Sequence, residues 1–263
     1  MKEVIQILDS IDWPASVTRP DIENEYDVYL VDDSVIEELN NRYSISIFGS
    51  QNNNHVAIHR KYSRQPGEHH LVFNGSNSIA VLDEKSAFRG KVIFEDNCLC
   101  VLMGHQHALN VHAHLYGQGT LIWGRGARTY DCRIWVHGGR TVSVGDDCLF
   151  SEAITIRTSD HHSVVDLDTY EVTNHPENVA LDRHVWIGPS VSITRGVTIG
   201  KGSIVGLGSV VTSSIPDAEL WAGVPAKCIR KNVSWVDSHP ADKSHIEDLK
   251  SLMGASKKPD VAS

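Results

Sequence analysis

The run from Leu181 to Val211 constrains this chain most. Leu181, Ile187, Ile193, Ile199, Val205 and Val211 follow one another at a strict step of six. Val185, Val191, Val197, Ser203 and Ser209 repeat that step in a second register. Gly188, Gly200 and Gly206 directly follow three of the aliphatics. A helix repeats near 3.6 residues and a strand near 2, so neither alone gives six. A short strand plus a turn, stacked as the flat faces of a solenoid, does. Ordinary sandwich or barrel strands would have to reproduce both registers together.

The step extends upstream. Val144, Phe150 and Ile156 continue it, with Cys148 and Ile154 in the second register. Ile122-Trp123 and Ile134-Trp135 stand twelve apart, as do Gly126 and Gly138. Between Ile156 and Leu181 the step breaks, because the interval of 25 is not a multiple of six. The stretch between them is polar and includes Pro176. It reads as an excursion from the coil wall, and long loops inside a compact repeat are often functional.

Residues 1–72 carry no step of six. They are expected to form a mixed α/β cap over the open end of the solenoid, whose last coil would otherwise expose apolar surface and strand edges. Within the cap, Val35–Leu39 suggests a short helix. Tyr43–Phe48 and Val56–Ile58 suggest strands, with Gln51–Asn54 as a turn between them. The solenoid is expected over 73–230, with the excursion at 157–180. Residues 231–263 form a C-terminal extension, with a short helix over Ser244–Leu252 capped by Ser244 and a frayed tail.

Apolar residues make up 41% and charged residues 22% of the chain, a globular composition. The formal net charge of −9 argues against nucleic acid or an anionic membrane as a broad partner. The N-terminal stretch is too short and too charged for a signal peptide, and no window approaches a membrane span. A cytoplasmic protein follows as the expectation. The five cysteines are odd in number. Cys98 and Cys100 form a CxC, while Cys132, Cys148 and Cys228 are isolated, so reduced thiols are expected.

Four segments then resemble a known family. They are Ser159-Asp160-His161-His162-Ser163-Val164, Val185-Trp186-Ile187-Gly188, Val205 to Thr212, and Ala222-Gly223-Val224-Pro225-Ala226-Lys227. Together they resemble the hexapeptide-repeat acyltransferases, and more narrowly the sugar and polysaccharide O-acetyltransferases. The resemblance covers about residues 140–232. It implies a left-handed parallel β-helix with about 18 residues per coil. It also implies a homotrimer with active sites between neighbouring solenoids, acetyl-CoA as donor and a saccharide acceptor.

Acyl transfer from a thioester to a hydroxyl needs a base, and histidine suits the task near neutral pH. By the resemblance His162 is that base, standing 24 positions before Trp186. His161, where the family carries a small residue, is the second candidate. Asp160 either orients the imidazole or opens the loop as an Asx turn. Trp186, outward because Ile187 is inward, resembles the family's aromatic lining the acetyl or acceptor site. Gly206, Leu207 and Gly208 would let the pantetheine arm run along the backbone. Thr212, Lys227 and Arg230 match positions near the nucleotide end of CoA, where cations meet phosphates. The family often has a lysine where Ser213 stands.

His105, His107, His112 and His114 form two HxH pairs, and in a strand each pair shares a face. The pairs therefore also fit a γ-type carbonic anhydrase-like metalloenzyme. The favoured expectation is no metal, with outward histidines on a polar coil face near the acceptor. N-acetyl transfer to an amino-sugar nucleotide and a non-catalytic β-helix scaffold are also compatible with the sequence.

Overall fold

The computed structural model describes residues 1–49, 52–62, 69–86, 88–104 and 109–254. His105 and His107 lie outside the described residues. The chain is a parallel β-solenoid with three faces. On the first face, seven parallel strands run from His55–His59 through Ile79–Lys85, Leu99–Gly104, Thr120–Trp123, Thr141–Val144 and Val179–Leu181 to Thr198–Ile199. Tyr26–Leu30 closes the edge antiparallel to His55–His59. The second face stacks eight strands from Ile45–Gly49 to Val210–Val211. The third face begins only at Arg128–Thr129 and ends with Glu219–Ala222, which pairs antiparallel with Lys227–Lys231.

In the C-terminal half each turn visits the first, third and second faces in that order. Val179–Leu181, Trp186–Ile187 and Ser192–Ile193 make one such turn. Ala180 pairs with Thr198, Trp186 with Ile204 and Ser192 with Val210, so every face advances by three steps of six per turn. One step is thus one face plus one corner. Ile187, Ile193, Ile199, Val205 and Val211 fill the interior, and Val185, Val191 and Val197 fill the corners. Ser203 and Ser209 are buried in the corner register because backbone satisfies them. Ser203 Oγ donates to the Pro216 carbonyl at 2.6 Å and Ser209 Oγ to the Gly206 carbonyl at 2.6 Å.

The N-terminal half is built differently. Ile79 pairs with Leu99, Leu99 lies beside Thr120, and Thr120 pairs with Thr141. Each of these intervals is longer than three steps of six, and none is a multiple of the step. In the turns that start at Ile79 and Leu99, two long strands replace three short ones; the turn from Thr120 is the first to add the third face, at Arg128–Thr129. Parallel pairing reaches back to Ile45, which pairs with His69, so strands within 45–72 join the coil itself. The helix Asp33–Tyr43 closes the end, with Leu39 and Tyr43 buried in the interior cluster. The helix Lys2–Asp9 instead covers the outer side of the first face. There Val4 and Leu8 pack with Ile79, Val81, Leu99 and Val101 in a second apolar cluster.

The C-terminal helix spans Lys243–Gly254. Its first turn is capped by Asp242 and not by Ser244, since Asp242 Oδ1 accepts from the His245 N–H at 3.1 Å and from Ser244 Oγ at 2.7 Å. A carboxylate satisfies the free N–H groups of a first turn at least as well as a hydroxyl. Cys98, Cys100, Cys132 and Cys148 are buried free thiols, and Cys228 is exposed.

Candidate active site

The excursion leaves the second face after Arg157 and rejoins the first face at Val179. Val142 pairs with Val179, whereas in the next turn Ala180 pairs with Thr198, so the excursion about doubles the length of its turn. The added length forms a small arm. Val165 and Val172 bridge antiparallel, and Asp166 Oδ1 caps the bend by accepting from the Asp168 and Thr169 N–H groups at 2.8 and 2.9 Å.

Asn174 staples the base of the arm. Its Oδ1 accepts from the Val164 N–H at 2.6 Å, and its Nδ2 donates to the His162 carbonyl at 2.8 Å and to Asp160 Oδ2 at 2.9 Å. Arg195 Nε reaches the same Asp160 oxygen at 3.2 Å, and the Arg195 guanidinium also pairs with Glu177. These hydrogen bonds hold the Asp160 carboxyl below its usual range, Asn174 contributing first and Arg195 next. Asp160 therefore faces Asn174 and Arg195, and no hydrogen bond among the described residues joins it to the His161 or His162 ring.

The two histidines diverge. His161 adopts φ 65°, and its N–H donates to Ser159 Oγ at 3.1 Å. This left-handed residue turns its ring back onto the coil. The His161 ring meets His137 edge-on at 4.0 Å, His137 stacks on Tyr116 at 3.6 Å, and Tyr116 stacks on His114 at 3.9 Å. His114 Nε2 in turn bonds Glu95 Oε1 at 2.9 Å. His137 Nε2 is buried and has no hydrogen-bond partner among the described residues. Burial first, then His161, His114 and Arg157, push the His137 imidazole down to about 4. Burial, then Arg157 and His162, also lower His161. His162 remains exposed at the mouth of the arm.

Asp160, Glu177, Thr194, Arg195, Gly196 and Thr212 line a polar hollow of about 420 Å³ at this corner. The structure thus brings Asp160 and Thr212, which the sequence assigned to different halves of a site, to one depression.

No protein-family model matches the chain. It is 41% identical over 101 residues to a polysialic acid O-acetyltransferase of Escherichia coli O1:K1 / APEC, covering 38% of this chain and 33% of that relative. The chain thus matches about a third of that relative's length. Its fold superposes on the crystal structure of the polySia-specific acetyltransferase NeuO with a TM-score of 0.59 at 24% identity, over 82% of this chain and 94% of that one. The polysialic acid O-acetyltransferase OatWY gives 0.52 at 23% identity, over 80% and 95% of the two chains. These likenesses show the fold, a parallel β-solenoid shared with solved acetyltransferase structures.

The remaining positions expected of a hexapeptide-repeat acetyltransferase fall elsewhere on the coil. Trp186 lies on the third face, 37% exposed, laddered between Leu149 and Ile204. Gly206, Leu207 and Gly208 turn the corner from the third to the second face. The Gly208 N–H donates to the Pro189 carbonyl at 2.8 Å, and at φ 66° Gly208 takes a conformation that L side chains adopt rarely. Leu207 projects into solvent. Lys227 and Arg230 are exposed on the last strand of the third face. The Ala226 N–H, one residue before Lys227, donates to the Val210 carbonyl at 2.8 Å, which sets the start of that last strand beside the segment ending at Thr212. His112 and His114 share the second face, and among the described residues no three His, Cys, Asp or Glu side chains converge on a metal position.

Asn174, Arg195, His137 and Tyr116 were not foreseen from the sequence. Nothing in the sequence sets Asn174 apart from the other polar residues of the excursion; its burial shows only in the fold. A C-terminal strap was also not foreseen. Trp235 stacks on His184 at 4.3 Å, its Nε1 donates to the His184 carbonyl at 2.8 Å, and the Trp235 carbonyl lies 2.9 Å from His184 Nε2. This ties the C-terminal extension across the corner between the first and third faces. No helix among the described residues is long and apolar enough to cross a membrane.

Proposed function

We propose that the chain transfers an acetyl group from acetyl-CoA to a hydroxyl of a sugar unit in a surface polysaccharide. The observation that carries this reading is the arm. Asn174, Asp160 and Arg195 fix its base, and it carries the exposed His162 two residues after Asp160, which lines a polar hollow. The relatives named above supply the substrate class, since they act on polysialic acid.

In this reading His162 accepts the proton of the acceptor hydroxyl as its oxygen attacks the thioester carbonyl. The tetrahedral intermediate collapses, the C–S bond breaks, and the imidazolium returns the proton to the departing CoA thiolate. His161 is engaged by His137 within the chain and serves to set the loop. Thr212, Lys227 and Arg230 hold the CoA phosphates and nucleotide, and the Gly206–Gly208 turn takes the pantetheine arm.

The arm also supports a site completed between copies of the chain, as in a homotrimer. It exposes Val164, Val165, Leu167, Tyr170 and Val172, with Leu167 and Tyr170 each 80% exposed. Such a concentration of apolar surface on one projecting element suits burial against another subunit. A neighbouring third face would bring Trp186 to His162.

The test is incubation with acetyl-CoA and a panel of polysaccharides, reading free thiol release and the new O-acetyl resonances by NMR. Thiol release that depends on a saccharide supports the reading. Absence of acetyl-CoA binding by calorimetry in a folded oligomer contradicts it.

A further inference from the structure

The His162 imidazole is exposed, and among the described residues it makes no hydrogen bond or ring contact. A base works only when its ring is held toward the proton it accepts. In this arm that aim comes from the main chain on either side of the ring. On the N-terminal side, His161 takes φ 65° and lays its ring against His137 at 4.0 Å. On the C-terminal side, a single side chain, Asn174, holds both the His162 carbonyl and the N–H of Val164 two residues later.

Asn174 meets one donor and two acceptors: the Val164 N–H at 2.6 Å, the His162 carbonyl at 2.8 Å and Asp160 Oδ2 at 2.9 Å. A primary amide matches that set, with its oxygen turned to the N–H and its two N–H bonds turned to the oxygens. The side chain is buried, so losing a partner leaves a polar group without water to replace it. The Asp160 oxygen that accepts from Asn174 also accepts from Arg195 Nε at 3.2 Å. Arg195 follows the strand Ser192–Ile193 of the next turn and pairs with Glu177 as well. A continuous line of hydrogen bonds thus runs from the coil wall through Arg195, Asp160 and Asn174 to the main chain of His162. It bypasses the imidazole.

Resting on the reaction proposed above, we infer that Asn174 is the positioning residue of the base, aiming the His162 ring by clamping the main chain at its carbonyl and at the Val164 N–H. Asp160 supports that clamp and does not act on the imidazole. A carboxylate that stabilised the imidazolium would need its charge. A carboxylate that only accepts from Asn174 and Arg195 needs only its oxygen. An amide oxygen, with two lone pairs, serves the second purpose and not the first.

The test is steady-state kinetics on the full-length protein and its Asn174→Asp, Asp160→Ala and Asp160→Asn variants, with hydrogen exchange on each. Asn174→Asp keeps the shape and the acceptor and loses both donors. It should lower kcat about tenfold to a hundredfold, the upper figure being the cost of a misplacement of roughly 1 Å, and leave KM for acetyl-CoA in place. Asp160→Ala should lower kcat by a similar factor, and Asp160→Asn should recover most of that loss. The double variant Asn174→Asp/Asp160→Ala should be no slower than Asn174→Asp, because the two residues act in one line. Without substrates, the Val164 N–H should exchange at least tenfold faster in Asn174→Asp than in the parent. Parental kcat in Asn174→Asp, a loss confined to KM for acetyl-CoA, or Asp160→Asn as slow as Asp160→Ala would each overturn the proposal. So would a change of oligomeric state in Asn174→Asp, which would place the effect in assembly. Faster Val164 exchange in the variant, with no acetyl transfer by the parent, would uphold the clamp and remove the proposed reaction. Acetyl transfer by the parent, with Val164 exchange and kcat unchanged in Asn174→Asp, would do the reverse.

Discussion

Trp186 and His162 lie on opposite sides of the coil. Trp186 belongs to the third face, between Leu149 and Ile204, while the arm bearing His162 springs from the edge where the second face meets the first. In a three-sided prism that edge is opposite the third face, so the coil interior separates the two residues. Any chemistry that uses both draws them from different copies.

The exposed arm supplies the contact that such an assembly needs. Replacing Leu167 and Tyr170 by glutamate places charge where burial is expected, and unpaired buried charge is costly. The double variant is expected to sediment as a smaller species than the parent and to lose acetyl transfer. Unchanged sedimentation would show that the arm is not part of the interface.

His162→Ala should lower kcat by about 10²–10⁴, the usual contribution of a positioned base. His161→Ala removes a ring packed on His137 and should act through loop order. Its loss of kcat is therefore expected to be smaller and accompanied by higher KM. Steady-state kinetics on both variants separates the roles, and a larger loss for His161→Ala would exchange them.

Acid should destabilise the fold through His137. Its imidazole has an ordinary value of 6.5 and is held down to about 4 by burial. Across that window the unfolded chain binds more protons, so stability rises with pH and falls as acid is added. Denaturant melts at several values between pH 4 and 7 should show this slope. His137→Gln should flatten it, although His55 and His161, also lowered by burial, keep a part of it.

Trp235 is only 6% exposed, and it is tied to His184 by a stacked ring and two hydrogen bonds. Trp235→Ala should cost about 3 kcal/mol in chemical denaturation, at the lower end of the range for removing a buried tryptophan. The expected effect is on stability, with KM for the acceptor little changed. A loss below about 0.5 kcal/mol, the scale of an ordinary surface substitution, would mean that the strap does not hold the coil.

The C-terminal coils were legible because their geometry is written directly in the spacing. One short strand and one corner make one step of six, and Ile187, Ile193 and Ile199 mark each return to the interior. The N-terminal coils hide from that pattern, because their longer turns never repeat the step. The twelve-residue spacing of Trp123 and Trp135 illustrates the difference. Trp123 is buried inside the first face, whereas Trp135 faces outward on the second. The same change of geometry made 45–72 read as a separate cap. The excursion showed itself as a break in the step, but its internal fastenings did not. Asn174 fastens the arm from within, while Arg195 and His137 meet it from neighbouring turns, and no local periodicity encodes those contacts. Asp160 was open between two roles from sequence, and the geometry sets its carboxylate against Asn174 and Arg195.

The most direct measurement mixes two inactive variants. His162→Ala and Trp186→Ala chains are unfolded together, refolded into mixed oligomers and assayed for acetyl transfer from acetyl-CoA to an acidic polysaccharide. If each site joins the arm of one copy to the third face of another, mixing creates interfaces with both native residues, and activity returns to a substantial fraction of the parent's. If mixed oligomers form and remain as inactive as either variant alone, the account of a transferase site shared between copies is wrong.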